Sequence, residues 1–457
     1  MKLSLADLKV LHRAEIINAG AMKNKSITGV STDSRTLKVG NLFVALRGEK
    51  FDGHQFVAEV SGRGALAVVV DASWKKENAQ LMNGLKNTVV IVPDTTKAFG
   101  ELAHLYRKKF SVPILVVGGS NGKTTTKEMI SAVLRSTYEV LSTEGNLNNH
   151  IGVPHMLFRL TSKHDIAVLE LGTNHFGELE LLCDIAVPTH AIITNIGREH
   201  LEYFGDEDGV AKEETTLYKA VTSKGFAFVN VDDERLAKAG RKLRRKLTFG
   251  TNAKADMRAQ HVRTNEQGCA EFELSMKGRS NPVRLSAAGL HNASNALAAA
   301  AVGLKFKVPK KRIISALEQY AGVAKRMEII RRNDLTILND TYNANPDSVI
   351  AALKTLRSMT VTGKKIVAFA DMLELGEKSE HEHAKIGLAV SDMEFEYLLT
   401  LGPLTRFTHE ASKLPFAEHF DTKAGLIESL KGYLRPGDAV LVKGSRGMKM
   451  EEVVEKI

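Results

Sequence analysis

Cysteine is almost absent from this chain of 457 residues, which holds only 2, Cys183 and Cys269. They stand far apart, with no CxxC and no Cys/His cluster, which argues against a disulfide framework and a structural zinc site. A reducing compartment, the cytoplasm, is the expected location. Long apolar runs are missing too, since no stretch reaches the ~18 uninterrupted apolar residues of a membrane span. The opening MKLSLADLKVLHRAEI alternates charged and apolar residues at helical spacing, where an export signal would show a charged start and then an apolar core. There is no internal repeat and no low-complexity segment. Aromatic residues are few around the one dense basic cluster, KAGRKLRRK (Lys238 to Lys246), so the formal charge of +10 comes without the stacking side chains of a nucleic-acid face. A solvated surface is expected there, on a basic chain suited to substrates that carry phosphates and carboxylates.

What the chain does have is material for packed cores. Its hydrophobic fraction is 43%, and its length predicts about three domains. Residues 1–110 mix short strand-like runs, GNLFVAL and ALAVVV, with turn signals such as RGEKFDGH. From Pro113 strand and helix patterns alternate: PILVVGG, a loop, a helix, DIAVLELG, HAIITNIG, GFAFVNVDD. That alternation is the mark of a mostly parallel sheet wrapped by helices. A piece with a more antiparallel look follows (KLTFG, AEFELSMKG) and ends in the alanine-rich GLHNASNALAAAAVGL, a helix by composition. Alternation resumes from about residue 323 with LTILND, KKIVAFAD, YLLTLG and DAVLVKG. The reading is an α/β protein of three domains, 1–110, 111–322 and 323–457.

The run GGSNGKTTTKEM carries the sharpest chemistry. A β-branched strand precedes it and a helical pattern follows, so Gly119, Ser120, Asn121 and Gly122 join a strand end to a helix N-terminus, with Lys123, Thr124 and Thr125 opening the helix. Unpaired N–H groups and the positive end of the helix dipole suit phosphate oxygens there; Lys123 adds charge and Thr124 offers a hydroxyl to Mg²⁺. The usual GxxxxGK[ST] spacing is not met, because Val117 stands where its first glycine would be.

Other candidates lie further along. Glu170 ends the strand AVLEL and is placed to hold Mg²⁺ on the edge where the loop opens, or is an ordinary strand-end acid. His200, after TNIGRE, could complete a metal shell or serve structure alone. Asn292 and Asn295, three apart on a helix, could face one way and grip an adenine edge. Arg326 in KRMEI and the group Asp340, Tyr342, Asn343 and Asn345 in NDTYNANP follow; each could equally be capping or turn chemistry.

Together these motifs resemble the Mur ligase family, ATP-dependent enzymes that join amino acids or peptides to a UDP-linked muramic acid precursor, and the resemblance spans essentially the whole chain. STDSR with LFVALRGEKFDGH, NHFGELE, DTYNANPDS, and ADMLELGE with VLVKGSRGMKMEE resemble the members that add D-alanyl-D-alanine to UDP-N-acetylmuramoyl-tripeptide. The short phosphate loop is the family's form. The resemblance implies an N-terminal UDP-binding domain, a central P-loop ATPase domain and a C-terminal Rossmann-like domain. It implies ATP and Mg²⁺ as cofactors and an acyl-phosphate intermediate; with the charge and hydropathy patterns above, no nucleic acid and no membrane span are expected, and a monomer is favoured. It implies roles too: Lys123 on the β and γ phosphates; Thr124, Glu170 and His200 on magnesium; Asn292 and Asn295 on adenine. Arg326 would reach the γ-phosphate and Asp340 the ribose, with Tyr342 and Asn345 beside them. Ser31, Asp33, Ser34 and Arg35 would contact the uridine diphosphate, with Asp52 and His54 nearby, and Asn146 and Asn149 would face the muramoyl peptide.

The chain departs from the family where members carry a lysine modified by CO₂ to a carbamate on the second magnesium. Counted from His200 and from Tyr218, that position is Glu214, expected to supply a permanent, shorter carboxylate as a metal ligand; a local bulge restoring Lys212 is the competing account. Ala370 and Gly447 depart as well, where glycine and serine are common. Against this reading stand a ligase of the same fold adding one amino acid or extending a folate tail, and, from another class, a P-loop switch protein that hydrolyses ATP without forming a bond.

Overall fold

The computed structural model describes residues 2–221, 225–276 and 278–457; of the segments read above, Met1 and Lys277 lie outside the described residues. Three sheets organise the chain. The first has the order Glu15–Ile17, Thr88–Val92, Ala67–Asp71, Leu42–Val44, Val30–Ser31, parallel except at Glu15–Ile17. Its three central strands, Thr88–Val92, Ala67–Asp71 and Leu42–Val44, are short valine-rich runs buried almost throughout, the composition a covered parallel sheet requires.

The second sheet has 9 strands. Val140–Ser142, Ile166–Glu170, Ile114–Gly118, His190–Ile193, Phe226–Asn230, Lys246–Gly250 and Met257–Thr264 run parallel, and Cys269–Met276 and Arg279–Ala288 continue antiparallel. KLTFG therefore differs from expectation: it pairs in parallel with both neighbours, and the switch of direction comes one strand later. The helices Lys123–Arg135 and Asn292–Lys305 cover one face, where Met129, Val133, Leu297 and Ala300 belong to one apolar core. On the other face lies Thr95–Arg107, started by Asp94, whose carboxylate accepts the N–H groups of Thr96 and Lys97. That helix also packs on the first sheet, and a single core runs from Val69 and Val90 through Phe99 and Leu102 to Val116 and Leu169.

The third sheet has the order Glu328–Arg332, Leu335–Asp340, Ala439–Lys443, Lys365–Ala370, Tyr397–Leu401, Phe416–Phe420, antiparallel only at Glu328–Arg332. Cys183 and Cys269 are buried and unpaired. Among the described residues no helix is long and apolar enough to cross a membrane. Lys238, Arg241, Lys242, Arg244 and Arg245 of the basic run are exposed, as a solvated surface requires.

Candidate functional site

Ile114–Gly118 lies between Ile166–Glu170 and His190–Ile193, in a register that pairs Val117 with Glu170 and Gly118 with Ile193. Three strand ends thus open on one edge, where the chain order reverses and open α/β sheets bind ligands. Gly119 (φ +109) and Gly122 (φ +78) turn the chain there. A Cβ on Gly119 would stand 2.3 Å from Thr194 Oγ1, and one on Gly122 would stand 2.8 Å from Asn295 Oδ1, so only glycine fits. No side chain caps the helix that follows, which leaves its first-turn N–H groups for a ligand.

Lys123 Nζ donates to Gly119 O at 2.6 Å and lies 3.2 Å from Glu199 Oε2. Burial would lower the lysine pKa, but Glu199, Glu214 and Glu170 outweigh it and hold the ammonium above its ordinary range. Glu170 is buried at the strand end, where Asn148 Nδ2 donates to its Oε1 at 2.9 Å. Sequence reasoning missed both Glu199 and Asn148; it chose Asn146 in the same GNLNNH run, and Asn146 does not line the cavity.

Glu214 is placed differently from expectation. It ends the helix Glu207–Glu214, is fully buried, and accepts the Gly119 N–H at 2.7 Å from beneath the loop. It does not line the cavity. Burial raises its pKa, against the pull of Lys123. Lys212, two residues back, points elsewhere: its ammonium lies 5.2 Å from the Phe176 ring centroid.

A cavity of about 990 Å³ opens over the loop, between the second sheet and the third. From the third sheet's side come Arg326, its guanidinium 3.8 Å from the Tyr342 ring centroid, and Asp340, which accepts from Met327 N and at 2.5 Å from the buried Lys443 Nζ. The pairing of Asp340 with Lys443 in register explains that bond. Asn292 and Asn295 also reach the wall, already bonded to one another, and Asn295 accepts from Thr126. Asn345 caps Pro346–Ser358 and donates to Asn121 Oδ1 at 2.9 Å across the cleft. Gly447 lines the wall, whereas Ala370 is buried at the end of its strand.

His200 has φ +48 and lies on the wall with Nδ1 2.6 Å from Glu374 Oε2. The imidazole holds the Glu374 carboxyl below its ordinary range. Among the described residues no three His, Cys, Asp or Glu side chains close on one point as a ready-made metal cage. Magnesium, however, is bound by one or two carboxylates with phosphate oxygens and water. Glu170 Oε2 and Glu199 Oε1 are buried without hydrogen-bond partners beside the phosphate loop, so this donor set fits a hard cation that arrives with a nucleotide.

Ser31, Asp33, Ser34, Arg35, Asp52 and His54 do not line this cavity. They belong to the end of the strand Val30–Ser31 and to the first sheet's loops, where Arg35 grips Asp33 and His54 Nδ1 lies 2.6 Å from Asp52. Thr32 Oγ1 touches His155 Nε2 at 3.2 Å. His155 belongs to the helix Gly152–Leu157, whose entry is fixed by Asn149 Oδ1 accepting Gly152 N–H, and Asn149 does line the cavity. The STDSR loop therefore meets, through Thr32 and His155, the helix whose start Asn149 holds at the cavity wall.

Comparison with known proteins matches three family descriptions in succession: Mur ligase family, catalytic domain, over residues 26–107; Mur ligase middle domain over 117–303; and Mur ligase, glutamate ligase domain over 325–446. The UDP-N-acetylmuramoyl-tripeptide--D-alanyl-D-alanine ligase of Bacillus subtilis (strain 168) is 36% identical over 94% of this chain and 93% of its own. Among solved structures, MurF from Acinetobacter baumannii superposes with a TM-score of 0.89 at 30% identity, covering 100% of this chain and 98% of that one. MurF ligase from Thermotoga maritima, solved in complex with ADP, gives 0.82 at 26% identity over 94% and 97%.

Proposed function

The chain belongs to the Mur ligase family, and on that footing we propose that it joins D-alanyl-D-alanine to UDP-N-acetylmuramoyl-tripeptide in an ATP-dependent reaction. The observation that carries the reading is the wall of the cavity: an uncapped phosphate-loop helix with Lys123 and buried, partnerless carboxylate oxygens on one side, Arg326 and Asp340 on the other. A nucleotide between them would touch two sheets at once.

The terminal carboxylate of the tripeptide attacks the γ-phosphorus, the bond to the β-phosphate oxygen breaks, and ADP departs with the acyl phosphate formed. The free amine of the dipeptide then attacks the acyl carbon; the C–N bond forms, the C–O bond to phosphate breaks, and the amine's proton passes to solvent. Charge grows on the transferring phosphoryl and on the tetrahedral carbon, and fixed donors stabilise it most. Lys123 and the loop N–H groups are the donors for the β and γ phosphates, and Arg326 approaches from the opposite wall. Thr124, Glu170 and His200 would hold magnesium, which neutralises phosphate charge when bound. Glu214 acts from beneath, fixing the Gly119 N–H, while Glu199 is first among the carboxylates that keep Lys123 charged.

Asn292 and Asn295 meet the adenine with the N–H groups their mutual bond leaves over, and Asp340 meets the ribose with its remaining lone pairs, flanked by Tyr342 and Asn345. Residues 1–110 hold the UDP end through Ser31, Asp33, Ser34, Arg35, Asp52 and His54; residues 111–322 bind ATP; 323–457 receive the dipeptide. Asn149, with Asn146 behind it, faces the muramoyl peptide. A cytoplasmic monomer completes the reading.

The test is phosphate release from ATP with the UDP-tripeptide, with and without D-alanyl-D-alanine, with the product weighed by mass spectrometry. The tripeptide is expected to gain one dehydrated dipeptide only when the dipeptide is present. Phosphate release indifferent to both substrates would refute the ligase assignment and leave an ATPase.

A further inference from the structure

The loop after Lys365–Ala370 in the third sheet and the loop after His190–Ile193 in the second press together at the cavity, and both are bent into unfavourable backbone. His200 (φ +48) and Glu374 (φ +63) adopt left-handed conformations without being glycine, a strained backbone that persists only where the surroundings enforce it. The surroundings do so. Glu202 N–H donates to Glu374 O at 3.3 Å, Lys378 Nζ donates to Gly205 O at 2.6 Å, and a Cβ on Gly376 would stand 3.2 Å from Glu202 Cα. Beside them Arg198 donates to Asp347 Oδ1 at 2.5 Å and to Glu382 Oε2 at 2.7 Å, both on the third sheet's helices. The product of this docking is the 2.6 Å approach of Glu374 Oε2 to His200 Nδ1, short but not aligned as a full hydrogen bond. The other ring nitrogen, Nε2, points inward, 4.0 Å from Glu199.

We propose that Glu374 is a positioning residue for His200: it holds the imidazole from the C-terminal domain with Nε2 toward the phosphate loop, so that divalent-cation binding depends on that domain being docked. This rests on the reading of His200 as a magnesium ligand. A carboxylate on one imidazole nitrogen fixes the tautomer and ring orientation and strengthens the other nitrogen as a donor; losing such a partner costs metal affinity roughly 10–100-fold.

The test uses the full chain with a non-hydrolysable ATP analogue and Mn²⁺ as the probe, free Mn²⁺ being read by electron paramagnetic resonance. Glu374→Ala is expected to weaken Mn²⁺ binding about tenfold or more, Glu374→Gln less because its amide oxygen still accepts, and His200→Ala at least as much as Glu374→Ala. Melting temperature and metal-free nucleotide affinity are expected to stay at the parent values. In turnover, Glu374→Ala is expected to raise the magnesium requirement and to recover kcat at saturating magnesium. Asp347→Ala with Glu382→Ala, which loosens the docking without touching either residue, is expected to weaken Mn²⁺ binding in the same direction. If His200→Ala weakens Mn²⁺ binding and Glu374→Ala does not, the positioning inference is overturned alone. If His200→Ala binds Mn²⁺ as the parent does, the ligand reading falls and the inference with it. Unchanged binding in the double variant overturns the dependence on docking.

Discussion

Glu214 offers the most informative perturbation, because the structure separates its support of the loop from contact with an ion. Its Oε2 takes the Gly119 N–H at 2.7 Å in a fully buried setting, while Oε1 has no hydrogen-bond partner. A buried hydrogen bond contributes about 1 kcal/mol, and a buried donor left without a partner costs about 1–3 kcal/mol. Glu214→Ala loses that bond, strands a buried N–H and opens a void, so a loss of about 3–5 kcal/mol is expected. Glu214→Gln keeps an acceptor of the same shape in place of a carboxyl whose ionisation burial already opposes; its stability is expected within about 1 kcal/mol of the parent. The comparison is made by thermal and urea unfolding of the three proteins without nucleotide.

The functional arm follows from the same geometry. Since Glu214 lies off the cavity wall, the magnesium concentration that half-saturates turnover is expected to change less than about threefold in Glu214→Gln. Turnover is also expected to be indifferent to dissolved CO₂, because the position that carries a carbamoylated lysine in the family pattern here has no amine, and Lys212 lies over Phe176 on another side of the helix. A more than tenfold rise in the magnesium requirement would put the carboxylate on the ion. Activity lost in bicarbonate-free buffer and restored by bicarbonate would refute the reasoning outright.

Two further outcomes are expected. His190 packs against Phe306, Phe228 and Phe226, and burial, then Lys305 and Arg245, lower its pKa from 6.5 to about 4. Between those values the unfolded chain binds a proton that the folded chain refuses, so stability falls as pH drops through that window, by up to about 3 kcal/mol; urea midpoints at pH 7.5 and 4.5 measure it, and an unaltered slope in His190→Gln would count against it. Glu199→Gln releases Lys123 from a partly buried ion pair that an incoming phosphate must displace, so metal-free nucleotide affinity is expected to rise by about 1 kcal/mol, about fivefold; calorimetric titration showing equal or weaker binding would sink it.

Much of the architecture could be read along the chain, because local pattern and tertiary role coincide. The β-branched run before Gly118 is a central strand, the glycines sit where positive φ or close approach requires them, and Glu170 ends its strand. What stayed hidden depends on register and packing. Glu199 sits between an arginine and a histidine in a stretch that reads as a polar loop, and only the pairing of His190–Ile193 with Ile114–Gly118 brings it to Lys123. Asn148 and Asn146 share one run, and the turn decides which reaches Glu170. Glu214, in the polar run KEETT, looks like a solvated helix end, yet it is packed beneath Gly118 and Gly119. Glu328–Arg332 and Phe416–Phe420 are edge strands with charged residues, which blurs the alternation that marked their neighbours.

The segment from Arg198 to Val210 explains why the cavity needs more than one unit of the chain. Its apolar side, Leu201, Phe204 and Val210, is packed into the core that also holds Met372, Leu375 and Leu353 of the third sheet's unit. Its polar side sends three consecutive residues to four partners: Arg198 to Asp347 and Glu382, Glu199 to Lys123, His200 to Glu374. The left-handed turn at His200 makes this possible, since an extended strand would send only alternate residues to one face. The segment therefore cannot settle against the third sheet without also fixing the carboxylate and the imidazole beside the phosphate loop. The contacts that dock the third sheet's unit and those that place Glu199 and His200 beside the phosphate loop thus lie on one short segment, so a substitution that loosens the first set is expected to disturb the second.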